Sequence, residues 1–142
     1  MLRPYIEADI SKIVELEIKT LKTTLGIDHY LNDLLNPFAK HYVYEDGGIF
    51  IGFISTVFDG EVLEVLNFAV DPLYQSKGYG TRIFESLIEK IGESLKSIIL
   101  EVRESNTKAI GLYSKFGFKT IRIRRGYYSN GEDAFFMQKV IK

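Results

Sequence analysis

Gln75-Ser76-Lys77-Gly78-Tyr79-Gly80 is the stretch whose residue types point most directly to chemistry. Two glycines one residue apart let the backbone turn its N–H groups inward, where a Cβ would stand in a ligand's way. Ile83, Phe84, Leu87, Ile88 and Ile91 follow at helical spacing, so the turn sits at a helix start. The positive end of that helix dipole favours phosphate oxygens. A nucleotide-triphosphate loop is excluded by the missing G-K-[ST] triplet. A dinucleotide fingerprint fails as well, for want of a third glycine and of an acidic residue ending a following strand. On these residues alone, an anion site and a plain tight turn remain equal alternatives.

Other residues could do chemistry. Glu64 and Glu101 each stand inside an apolar, strand-like run. Burying a carboxylate unpaired is expensive and raises its pKa, which suits a base; the alternative is a strand residue facing solvent or paired with Arg103. Asn106 and Tyr113, seven residues apart, share one helix face across about two turns. Asn106 also fits an N-cap, and Tyr113 a core aromatic beside Ala109 and Phe116. Tyr127 and Tyr128 precede a loop at 129–131 and could wall a peptide groove. Arg122, Arg124 and Arg125 alternate with Ile121 and Ile123 as the polar face of a strand would, with contact to a cofactor phosphate or an acidic substrate as the alternative. His29 and His41 are far apart and lack a carboxylate cluster at metal-ligand spacing, so both are expected on the surface or in loops and no metal is expected.

These residues need elements to hold them. A short strand is expected at 2–6, and a helix from Ile10 to Leu25, with Asp9 as its cap and Gly26 as its stop. Asp28–Leu35 reads as a second helix ended by Pro37. His41–Tyr44, Ile49–Phe58 and Val62–Val70 are rich in β-branched and aromatic residues, and Asp46-Gly47-Gly48 and Asp59-Gly60 separate them as hairpin turns. Ser97–Val102 reads as a buried strand, Asn106–Phe116 as a helix stopped by Gly117, and Phe118–Ile123 and Ala134–Val140 as two closing strands.

The order is that of an α+β (α/β) fold in a single domain over 1–142. The charge balance, 18 Lys plus Arg against 19 Asp plus Glu, gives −1 and no case for nucleic acid or a membrane surface. Without cysteine there are no disulfides, thiolate nucleophiles or cysteine-held metals, which suits a reducing cytoplasm. No secretory leader or membrane-spanning run is apparent, so a cytoplasmic location is expected.

Three motifs occur in order. Asn67-Phe68-Ala69-Val70-Asp71-Pro72 followed by Q-x-x-G-x-G resembles the acetyl-CoA signature of the GNAT superfamily of N-acetyltransferases. Leu100-Glu101-Val102-Arg103 with Asn106, Ala109, Leu112-Tyr113 and Gly117-Phe118 is similar to that superfamily's next motif. Tyr127-Tyr128, Gly131-Glu132-Asp133-Ala134 and Met137 resemble the ribosomal-protein alanine N-acetyltransferase branch and its protein N-terminal relatives. The likeness is close over roughly 48–141 and loose before it. Leu21-Lys22-Thr23-Thr24-Leu25-Gly26-Ile27-Asp28 stands where those relatives often carry a Phe-Pro or Leu-Pro segment.

The resemblance implies a mixed, mainly antiparallel sheet of about seven strands flanked by four helices. It implies that the strand at Phe68, Ala69 and Val70 splays from its neighbour and pairs its backbone with the pantetheine arm of acetyl-CoA. Gln75, Ser76, Lys77, Gly78, Tyr79, Gly80 and Thr81 would wrap the pyrophosphate, Asn106 would bond the pantetheine, and Tyr113 would reach the sulfur. Glu101 matches the catalytic glutamate of the ribosomal-protein branch and Glu64 the base of the histone-acetylating branch; either one, or a water chain, is the base. Direct attack of an amine on the thioester needs no protein nucleophile, so the lack of cysteine costs nothing. A protein or peptide N-terminus at Tyr127 and Tyr128 is the expected acceptor. The alternatives are a small amine such as a polyamine or amino acid, or a module that binds acyl-CoA without turnover. A monomer or homodimer is expected.

Overall fold

A computed structural model describes residues 1–142. Its strands are β1 (Leu2–Pro4), β2 (Ala39–Asp46), β3 (Ile49–Phe58), β4 (Val62–Val70), β5 (Ser97–Arg103), β6 (Lys119–Arg124) and β7 (Ala134–Val140). Its helices are α1 (Ile10–Leu21), α2 (Ile27–Asp33), α3 (Tyr79–Ile91) and α4 (Thr107–Lys115). The strands hydrogen-bond in the order β1-β2-β3-β4-β5-β7-β6. Seven strands and four helices match the expected architecture. No helix is long and apolar enough to cross a membrane.

The chain forms two compact units: residues 1–58 with 66–92, and residues 59–65 with 93–142. In the first, β1, β2 and β3 pair antiparallel. Gly47 and Gly48, both at left-handed φ (+57° and +80°), make the turn between β2 and β3, a twist that suits a two-residue hairpin. Ile10, Ile13 and Leu16 from one face of α1 meet Tyr30, Val43, Phe53 and Ala69 in a shared core. Each such aliphatic side chain contributes about 1.5–3 kcal/mol when fully buried.

This core also holds a carboxylate. Glu17 is fully buried and accepts from Thr24 Oγ1 (2.6 Å), Tyr30 OH (2.7 Å) and Asn67 Nδ2 (2.5 Å). Tyr30 OH also meets Ser55 Oγ at 2.9 Å. A buried charge is tolerated only when so satisfied, and these bonds tie α1, the loop after it, α2 and β4 together. Thr24 and Gly26 belong to the stretch that departs from the relatives' pattern, and Thr24 Oγ1 also accepts the Gly26 N–H.

The second unit is the start of β4 with β5, β7, β6 and α4. Val62–Val65 pair parallel with Ser97–Leu100. β5 then pairs antiparallel with β7 along its whole length, from Ser97 opposite Val140 to Arg103 opposite Ala134. β6 is the outer strand, on the far side of β7.

Several local expectations are corrected. Helix α1 ends at Leu21, because Lys22 turns left-handed (φ +61°) four residues before Gly26. Asp9 gives α1 no side-chain cap; its carboxylate accepts the Ile6 N–H and pairs with Arg3. Helix α2 stops at Asp33, ahead of Leu35 and Pro37. β6 keeps the expected polar face, with Arg122 opposite Phe136 and Arg124 opposite Ala134, but its isoleucines are exposed as well, so neither face of this outer strand is covered.

Candidate active site

The glycine turn is built from β4 outward. The Asp71 N–H donates to Ile51 O at 2.8 Å, and its carboxylate accepts from Leu73 N–H at 3.0 Å, so Pro72–Tyr74 makes one tight turn. Gln75 Nε2 reaches back to Val70 O at 2.9 Å. Ser76 (φ +63°) and Gly78 (φ +84°) are both left-handed, and α3 starts at the next residue with no side chain capping it. A left-handed conformation costs a non-glycine residue such as Ser76 about 1–2 kcal/mol. The Tyr79 phenol donates to Asp46 and its ring meets Tyr44, which fixes the first turn of the helix. A Cβ built at Gly78 would meet no atom of the chain within 4 Å. The turn is therefore a backbone cradle open at a helix N-terminus, a shape and polarity that fit a pyrophosphate. Phe68, Ala69 and Val70 lead into it, with Phe68 edge-on to Phe84 of α3 at 5.1 Å.

The other candidates lie in the second unit. Asn106 is the N-cap of α4: its Oδ1 accepts the Ala109 N–H at 3.2 Å, which leaves the amide N–H₂ group as a donor. Tyr113 is the buried residue of α4, and its ring packs on Phe118 at 5.6 Å rather than serving only a stripe with Ala109 and Phe116. Burial pushes its phenol well above the ordinary value, so it stays protonated.

Glu101 and Glu64 are both exposed, so neither is the buried carboxylate considered from the sequence. Leu100 and Val102 face the core, and strand alternation turns Glu101 to the other side. Glu64 pairs with Ile99, two residues before Glu101, so both carboxylates share that face. The Tyr128 phenol donates to Glu101; burial first and then the Glu101 charge raise its pKa. Arg103 does not pair with Glu101. It bonds Glu132 Oε2 at 3.1 Å and lies over the Tyr128 ring at 3.9 Å. Ser105, Asn130 and Arg103 hold the Glu132 carboxyl down to about 2. Tyr127 packs edge-on against Tyr128 (5.2 Å) and Phe136 (5.9 Å). Tyr127 and Tyr128 thus form an ordered aromatic wall beside Glu101.

The histidines are corrected too. His41 is buried in β2 and His29 lies on α2, and the fold brings both to Asp33, with the ligand atoms of all three within 4.8 Å. Sequence separation hid this group, although His29 and Asp33 are four apart on one helix. His41 Nδ1 accepts the Thr56 N–H at 3.0 Å, so the proton sits on Nε2, 2.6 Å from Asp33 Oδ2. A metal on Nε2 would push that proton to Nδ1, against the Thr56 N–H. Burial lowers the pKa of His41 and keeps the ring neutral despite Asp33. His41 and Asp33 are thus a hydrogen-bonded pair, and His29 Nε2 stands 3.1 Å from the same Asp33 oxygen.

Residues 9–118 match the acetyltransferase (GNAT) family. The [ribosomal protein bS18]-alanine N-acetyltransferase of Haemophilus ducreyi is 32% identical over 133 residues, covering 90% of this chain and 88% of its own. An N-alpha-acetyltransferase of Sulfurisphaera tokodaii is 29% identical over 146 residues, covering 91% and 86%. The crystal structure of the ribosomal-protein-S18-alanine N-acetyltransferase from Escherichia coli superposes with a TM-score of 0.88 at 27% identity, over 100% of this chain and 94% of that one.

Replacing Gly78 with valine tests the cradle. The substitution strains a left-handed residue and puts its side chain in the ligand's space, so CoA affinity measured by calorimetry should fall about tenfold or more in a folded protein. Unchanged affinity would remove the turn from the site.

Proposed function

The chain belongs to the acetyltransferase (GNAT) family, and from that premise we propose that it moves an acetyl group from acetyl-CoA to the N-terminal amine of a protein or peptide, working in the cytoplasm. The observation that carries this reading is Glu101, an exposed carboxylate on a strand face, bonded by Tyr128 and walled by Tyr127. A protein terminus is an extended chain ending in an ammonium, and that face offers it a carboxylate and flat aromatic surfaces.

The residues divide the work. Backbone N–H groups of Ser76 to Thr81 hold the pyrophosphate, the main chain of Phe68, Ala69 and Val70 pairs with the pantetheine arm, and the Asn106 amide donates to it. Glu101, directly or through one water, takes the proton of the acceptor ammonium; Glu64, on the same face, is the second choice. The amine nitrogen forms the bond to the acetyl carbon as the carbon–sulfur bond breaks. Tyr113, protonated because it is buried, gives the departing thiolate a proton, and the second proton shed by the acylated nitrogen restores the phenol by way of solvent. No covalent acyl-protein intermediate is needed.

A screen of peptides with varied first residues, run beside polyamines and free amino acids, tests the acceptor. Thiol release should be fastest with peptides and stop when the α-amine is blocked; fastest release with a free amine would reassign the enzyme to small molecules. With a saturating peptide, Tyr113→Phe should slow the chemical step at unchanged CoA affinity and melting temperature, the mark of an interaction made in the transition state. A full-speed Tyr113→Phe would make Tyr113 core packing only.

A further inference from the structure

The strand pairing of the second unit sorts its charges in a way the bare sequence hides. Residues directly opposite one another across a sheet point to the same face. Glu101 is opposite Phe136, and Phe136 is opposite Arg122. One step along, Arg103 is opposite Ala134, and Ala134 is opposite Arg124. One step the other way, Glu64 is opposite Ile99, Ile99 opposite Gln138, and Gln138 opposite Lys119. Unbroken alternation would put Lys119 and Arg122 on opposite faces. The register of β6 shifts between Thr120 and Arg122, and the extra residue, Ile121, brings them to the same one.

The face is polarised as a result. Its β4 and β5 side carries the carboxylates Glu64 and Glu101, and its outer strand carries Lys119, Arg122 and Arg124. The neighbouring cations are already matched: Arg103 pairs with Glu132 and Arg125 with Asp133 at 3.3 Å. Arg122 and Arg124 make no ion pair. Aromatic rings hold their guanidinium groups, Arg122 over Phe136 at 4.8 Å and Arg124 over Tyr127 at 5.3 Å and Phe136 at 5.7 Å. Stacking fixes the flat group while its N–H edge stays available to an acceptor.

We propose that Arg122 and Arg124, stacked on Phe136 and Tyr127, select acceptor chains with an acidic side chain close behind the N-terminal amine. The inference rests on the proposed function. An ammonium beside Glu101 and a carboxylate over β6 match the two poles of the face. The spacing agrees: two strand separations take the backbone about 10 Å from Glu101 to Arg122, and an extended chain advances about 3.3 Å per residue. The acidic side chain therefore falls at about the second to fourth residue of the acceptor. Guanidinium groups bind carboxylates in a two-pronged manner, so the contact is directional as well as charged.

The test compares peptides that differ only by Asp, Gln or Lys at positions two to four. Wild-type protein should favour Asp over Gln by about tenfold or more in kcat/KM, chiefly through KM, and should disfavour Lys; the preference should shrink as salt is raised. In the Arg122→Gln/Arg124→Gln double variant the three peptides should converge on the wild-type rate for Gln, with CoA affinity and melting temperature unchanged. A lysine pair at the same positions should restore part of the preference. Equal wild-type rates for Asp and Gln, or a preference that survives the double variant, would overturn the proposal while leaving acetyl transfer to the N-terminus intact. Failure of all peptides would instead strike the proposed function.

Discussion

The pairing of β7 between β5 and β6 is the constraint from which the functional reading follows. Seven consecutive residue pairs bind β5 to β7, from Ser97 opposite Val140 to Arg103 opposite Ala134. A slip of one residue would turn Leu100 and Val102 to solvent and Glu101 into the core. Burial of those apolar side chains therefore sets the orientation of the carboxylate, and the same alternation carries Phe136 and the β6 cations to its side. Tyr113, inside that core, owes its protonated state to the burial that holds the register in place.

The first unit depends on a different balance. Its core encloses Glu17, and the three donors from Thr24, Tyr30 and Asn67 satisfy it. Breaking a buried charge network of this kind costs more than making it contributes. Asn67 opens β4's run toward Phe68 and Val70, and the strand then delivers the chain to the left-handed residues of the glycine turn. The anchor at Asn67 lies three residues before the end of β4, on the stretch that leads directly into the cradle.

Periodicity carried most of the fold. Strand alternation and helical spacing are local properties, and all seven strands and four helices lie close to where the residue pattern puts them. Local conformational choices were harder to read. Lys22 ends α1 by turning left-handed, a role that glycine usually fills, and Asp9 turns from α1 to Arg3 because a guanidinium is the stronger partner. Groups assembled over long range left no local signal. Asp33 joins His29 to His41, and Glu17 meets Asn67 fifty residues away. The site residues followed from motif resemblance. That Glu64 and Glu101 share one exposed face required the β4–β5 register, and the joint orientation of Lys119, Arg122 and Arg124 required the shift at Ile121, which no residue pattern announces.

The claim most in need of a direct test is that the chemistry runs on the exposed β5 face with Glu101 as its base. The decisive measurement is the pH dependence of the chemical step in Glu101→Gln and Glu64→Gln, at saturating acetyl-CoA and peptide. The account predicts that Glu101→Gln slows the step by about 10²–10⁴-fold, most at low pH where the amine is protonated, with CoA affinity unchanged. It predicts a small effect for Glu64→Gln. A large loss in Glu64→Gln beside a near-normal Glu101→Gln would contradict it.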